Sequence, residues 1–240
     1  MSTRASSPEP AVLPRAGLVG GLLALAAGAW VLTVDRMAGM DAAPGADLGA
    51  LGWFAVSWLL MMAAMMLPSL GPAALRAGER AVAPFVVGYL AAWTAAGLAG
   101  YVLIETVRRL DVTFLAWDRA GRYVAAGVIL AAAAYQLTPA KAACLERCRS
   151  RAGSGLRGGV RHGASCVGCC AGLMAALFAL GMMSLVWMAA VAALIAAERL
   201  LPWRSPAAYG VGAALAVLAI WLAVAPGDLP GLTLPGSMSM

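Results

Sequence analysis

The sequence predicts an all-α fold, a polytopic transmembrane helical bundle of about six helices. Composition is the first reason. Of the 240 residues 62% are hydrophobic and 12% charged, with a mean hydropathy of +0.85, which leaves too little polar material to cover a water-soluble globule of this size. Run length is the second: the apolar stretches continue for about 20 residues, unlike the roughly ten-residue alternating segments of a membrane barrel. Charge placement is the third. The net charge of +6, from 17 Lys and Arg against 11 Asp and Glu, gathers between the apolar runs, where it sets orientation, and no nucleic acid is expected as a partner.

Six runs are the expected spans, at 17–34, 51–67, 81–105, 122–139, 166–196 and 205–225. They form one membrane domain, 16–225, between disordered tails at 1–15 and 226–240, where Ser, Pro and Gly disfavour regular structure. The first run follows Arg4 and Arg15 but is longer than a signal-peptide core of about 7–15 residues, so it reads as an uncleaved helix. The second carries a methionine cluster. The third begins after Arg80, and the fourth closes on Thr138 and Pro139, which shape a helix end. The fifth is too long: 166–196 would make a helix of roughly 46 Å at ~1.5 Å per residue, against a hydrocarbon core of about 30 Å. Either its cysteine end projects into the interface or the helix tilts or breaks near Gly181, and both place Cys166 to Cys170 close to water. The sixth ends before the Pro- and Gly-rich tail. Gly17/Gly21 and Gly168/Gly172 have the spacing of close helix contacts, but among 28 glycines such pairs arise by chance.

With alternating spans, Arg4, Arg15, Arg76, Arg80 and the bases from Lys141 to Arg161 fall on one side. Arg36, the four arginines from Arg108 to Arg122, Arg199 and Arg204 fall on the other. The bias favours a multi-pass protein of the cell inner membrane with a cytoplasmic N-terminus. Glu198 is expected at the far interface with Arg199, and Gln136 and Thr138 beside the membrane.

All five cysteines lie between 144 and 170, as Cys144-x3-Cys148 and Cys166-x2-Cys169-Cys170. Packing cysteines would scatter. On a helix Cys144 and Cys148 share a face with Lys141 one turn earlier, and a nearby ammonium favours the thiolate form that binds metal. His162, the single histidine, precedes Cys166 by one turn, so that His162, Cys166, Cys169 or Cys170, and Met174 form a stripe of nitrogen and sulfur ligands. The glycine-rich segment from Arg151 to Gly163 is expected to be flexible and to fold the first pair back toward the second. In the second run Met61/Met65 and Met62/Met66 stand at four-residue spacing, and thioether sulfur favours Cu(I) over hard cations. Alternation of spans brings these groups to one face of the membrane.

Each signal has a plainer explanation. Methionine at helical spacing in an apolar helix is more often packing than ligand, and cysteine is common in buried helices. A Cys-x-x-Cys-Cys beside a second pair is harder to explain as packing, and points to metal or redox chemistry. The predicted ligand set is Cys144, Cys148, Cys166, Cys169, Cys170, His162, Met62 and Met66.

Four blocks carry a family resemblance: Trp58-Leu-Leu-Met-Met-Ala-Ala-Met-Met-Leu-Pro-Ser69, Gly88-Tyr-Leu-Ala-Ala-Trp93, the stretch from Tyr135-Gln-Leu-Thr-Pro139 to Cys148, and Cys166-Val-Gly-Cys-Cys-Ala-Gly-Leu-Met174. Over roughly residues 50–200 the chain resembles the bacterial domain-of-unknown-function 2182 family of predicted metal-binding integral membrane proteins. It departs from that pattern at Ala140 and Ala171, neither a ligand position. The resemblance implies metal binding without naming the metal.

The leading expectation is soft-metal handling with Cu(I), for delivery or transport, with the lipid bilayer and a metallochaperone or recipient metalloprotein as partners. Zn(II) suits Cys and His but gives no reason for the methionine pairs. The alternatives are a membrane thiol-disulfide oxidoreductase using Cys166/Cys169 and Cys144/Cys148, and a structural protein with a metal-stapled loop. No P-loop signature and no Ser/His/Asp pattern points to ATP-driven transport or hydrolysis.

Overall fold

The computed structural model describes residues 12–38, 48–110, 120–150, 153–200, 204–229 and 232. The described residues are all-helical. In order they form α1 (Val12–Met37), α2 (Leu51–Ala77), α3 (Val82–Arg109), α4 (Arg122–Gln136), α5 (Pro139–Ser150), α6 (Gly155–Leu180), α7 (Leu185–Leu200) and α8 (Arg204–Val224). Five of these, α1, α2, α3, α6 and α8, are long and apolar enough to cross a membrane, and a sixth crossing arises if α4 and α5 count as one bent span. The expected tails at 1–15 and 226–240 fall largely outside the described residues. Of them, 12–15 lie in α1 and 226–228 form a short 3₁₀ turn.

Two helices are central. The apolar windows of α2 and α6 are 67% and 56% buried, against 22–28% for α1, α3 and α8, so the peripheral helices turn their apolar surface outward. Trp58 anchors α2 to its neighbours: its indole N–H donates to the Trp93 carbonyl of α3 at 2.9 Å, and its ring stacks on Phe178 of α6. A Cβ on Gly97 would sit 2.2 Å from that indole, so α3 has a glycine where the ring lies. The tightest seam joins α3 to α6. A Cβ on Gly159 would meet the Phe85 carbonyl oxygen at 2.0 Å, and one on Gly88 the Leu156 carbonyl oxygen at 2.2 Å, so the two backbones touch only because both positions are glycine.

That seam corrects the expectation of a flexible segment from Arg151 to Gly163. The chain is helical from Gly155, because Gly159 and Gly163 lie against α3 instead of loosening the backbone. Cys166, Cys169 and Cys170 consequently lie well inside α6 and are buried. The fourth expected span stops at Gln136. Thr138 Oγ1 donates to the Tyr135 carbonyl at 2.8 Å and accepts from the Lys141 amide at 3.3 Å, and across Pro139 the axis bends by 65° into α5. The fifth span breaks at Gly181, whose φ of 100° is open to glycine and strained for other residues. After that break α7 runs back along α6, which carries Glu198 and Arg199 to the cysteine end of the bundle. Their expected place at the far interface is therefore wrong, since one long span was in fact a hairpin.

Candidate metal centre

Four buried thiols meet where α5 packs on α6. Cys148 Sγ lies 3.7 Å from Cys169 Sγ, and Cys170 Sγ lies 3.6 Å from Cys169 and 3.9 Å from Cys166. The sulfurs of Cys148, Cys166 and Cys169 all fall within 4.8 Å of one another. Helical spacing explains the α6 contribution, because positions 166, 169 and 170 share one stripe. The bend at Thr138 explains the other, since it lays α5 across that stripe with Cys148 pointing inward.

The remaining predicted ligand positions separate into three cases. Cys144, one turn before Cys148, is half-buried and directs its sulfur at Gly168, where a Cβ would approach it to 2.9 Å. His162 is buried between the rings of Phe85 and Tyr89, and its Nε2 stands 3.2 Å from the Arg199 guanidinium. An arginine only donates, so this nitrogen accepts and is already engaged. Met62 and Met66 are fully buried in α2. At 3.6 residues per turn they share an arc of about 60° with Ser69 and lie ~10.5 and ~4.5 Å along the axis from it. Trp58 touches Phe178 at one end of this face and Ser69 bonds to Arg199 at the other. The two methionines thus sit between the Phe178 and His162 levels of α6.

Lys141 does not serve the thiols. It is buried and paired with the buried carboxylate of Glu198, and Arg149 donates to the Glu198 carbonyl. The cation beside the sulfurs is Arg199, which donates to Ser69 Oγ at 2.9 Å and to the Tyr89 hydroxyl at 3.3 Å. That hydroxyl lies 3.1 Å from Cys166 Sγ. Tyr89 and Arg199 were missed as site residues, although the Gly88-Tyr89 step and a Glu-Arg pair ending an apolar run were visible signals.

A metal held by thiolates at ~2.3 Å separates its sulfurs by roughly 3.8–4.0 Å. The Cys148–Cys169 spacing of 3.7 Å is close to that value, Cys170 adds contacts of 3.6 and 3.9 Å to Cys169 and Cys166, and the other separations in the trio stay within 4.8 Å. Soft thiolates in a dry pocket suit a soft ion.

No curated protein and no solved structure matches the chain. A family model, PpoB2, described as copper chaperone, matches residues 55–222, a stretch that includes every cysteine and the methionine pairs. The resemblance drawn from the sequence agrees with this at the level of a metal-related bacterial family. With more than half of its length matched, the chain belongs to the PpoB2 copper-chaperone family.

Proposed function

We propose that this protein is a multi-pass protein of the cell inner membrane that binds Cu(I) as cargo and delivers it to a recipient metalloprotein. The observation that carries the proposal is the trio of buried thiols, Cys148, Cys166 and Cys169, within 4.8 Å of one another in a copper-chaperone family. Cys170 borders the trio as a fourth soft donor, while Met62 and Met66 offer buried thioethers on α2. Cu(I) is favoured over Zn(II) by the copper-chaperone family match and by the thioethers of Met62 and Met66, which suit Cu(I) and are not Zn(II) ligands. The membrane placement rests on five spanning-length helices and on outward apolar side chains such as Leu103, Val217 and Val224, a surface suited to lipid. Since α7 returns to the cysteine end, Arg199 and Arg204 join the more basic side, which strengthens the bias toward a cytoplasmic cysteine face.

Thiol-disulfide exchange fits less well. The α6 dithiol that it would use, Cys166 and Cys169, has to be reached by a partner disulfide, yet both are at most 2% exposed and neither lines the cavity that Cys148 borders.

The test is the copper, zinc and iron content of detergent-purified, reduced protein. Near-stoichiometric copper is expected in wild type and Cys144→Ser. It should be lost in a Cys166→Ser/Cys169→Ser variant that keeps its helical circular dichroism, and lowered in affinity in Met66→Leu. Copper retained by the folded double variant, or absent from loaded wild type, would overturn the assignment.

A further inference from the structure

Next to the thiols a cavity of about 250 Å³ lies between the ends of four helices. Its walls include Arg76 from α2, Arg149 from α5, Arg199 and Ser69, together with His162 and Cys148. Among the described residues no carboxylate lines it. The nearby Glu198 side chain is ion-paired with Lys141. Three guanidinium groups from three helices therefore surround a space that has a thiol of the metal centre in its wall.

Each arginine is held by its surroundings. Arg76 bonds to the Pro72 and Arg149 carbonyls, Arg149 to the Glu198 carbonyl, and Arg199 to Ser69 and Tyr89. For Arg76 and Arg199 the carbonyl, hydroxyl and imidazole partners orient the guanidinium without cancelling its charge, whereas Arg149 also lies in the field of the Glu198 carboxylate. A low-dielectric cleft with such an excess of positive charge concentrates counter-ions. A bare cation is repelled from such an entrance. An anion is drawn in.

We infer that the cavity is the loading port of the metal centre, and that it accepts Cu(I) as a small anionic thiolate complex whose carboxylates meet Arg76 and Arg149. Cys148, the member of the trio in the cavity wall, is the first protein sulfur that the complex reaches. The step is ligand exchange without redox: the copper–sulfur bond to the carrier breaks, one to Cys148 forms, and the Cys148 proton leaves with the carrier as free thiol. The copper then lies in contact range of Cys169 and Cys166. This inference rests on the Cu(I) reading above.

Two carriers separate its failure from failure of that reading. Apo protein in detergent is loaded from Cu(I)–glutathione, which is anionic, and from Cu(I)–acetonitrile, whose ligand is neutral, at low and at high salt. Loading from glutathione is expected to slow roughly tenfold with salt and roughly fivefold in Arg76→Gln, while loading from acetonitrile, a cationic complex that the same charges repel, does not slow in either case. Equal effects on both carriers, or none on either, would overturn the port. Failure of wild type to take copper from acetonitrile at all would instead overturn Cu(I) binding.

Discussion

Replacing Lys141 by Met is the sharpest test of the geometry that brings α7 to the cysteines. Lys141 and Glu198 are 1% and 3% exposed and face each other between α5 and α7. Removing the ammonium leaves a carboxylate in a dry interior, a loss of about 3–5 kcal/mol when one partner of a buried pair is deleted. The positive charge of Arg149 still acts on the Glu198 carboxylate, so the cost should fall near the lower end, about 3 kcal/mol. Glu198→Gln should cost a similar amount by stranding the ammonium. A Lys141→Met/Glu198→Leu variant removes both charges while keeping volume, and should return to within about 1 kcal/mol of wild type. Denaturant unfolding in detergent, followed by circular dichroism, measures all four proteins. Because Arg199 follows Glu198, the single variants should also expose the thiols to an alkylating reagent. Single variants as stable as wild type, or a double variant as unstable as the sum of the singles, would refute the clasp.

Two further substitutions probe the helix contacts. Gly159→Ala, with its Cβ aimed at the Phe85 carbonyl from 2.0 Å, should cost at least about 1–3 kcal/mol by unfolding in detergent, whereas Gly21→Ala, with nothing within 4 Å, should gain up to about 1 kcal/mol from helix propensity. Tyr89→Phe removes the hydroxyl shared by Cys166 and Arg199; a loss of about 1–2 kcal/mol is expected, with faster alkylation of Cys166 read by mass spectrometry.

Hydropathy located the helices because long apolar runs leave the backbone few alternatives to a helix, and the cysteine spacing put Cys166 on one stripe with Cys169 or Cys170. What it missed were long-range effects of single residues. Gly159 and Gly163 looked like loop formers, and only the α3 backbone opposite them shows that they are packing positions. Gly181 was one of two allowed resolutions of an over-long run. Which resolution held decided the side on which Glu198 and Arg199 lie, and thereby moved the arginine to the thiols. Lys141 shared a helical stripe with Cys144 and Cys148, but a stripe does not reveal that a carboxylate from another helix will claim the ammonium.

That exchange of partners has a chemical consequence. Three thiolates around one Cu(I) carry a net charge of about −2, which a low-dielectric interior tolerates only beside positive charge. Lys141 cannot provide it while paired with Glu198. Arg199 can, because it is held by the neutral groups of Ser69 and Tyr89, and a guanidinium stays charged at any physiological pH. The clasp and the counter-charge are adjacent residues on one turn of α7. The hairpin at Gly181 therefore does two things at once: it neutralises the lysine of α5 and sets a permanent cation beside Tyr89 and Cys166. If the centre holds Cu(I) within a membrane as proposed, it keeps its counter-ion whether loaded or empty, and binding and release would need no charged side chain to move.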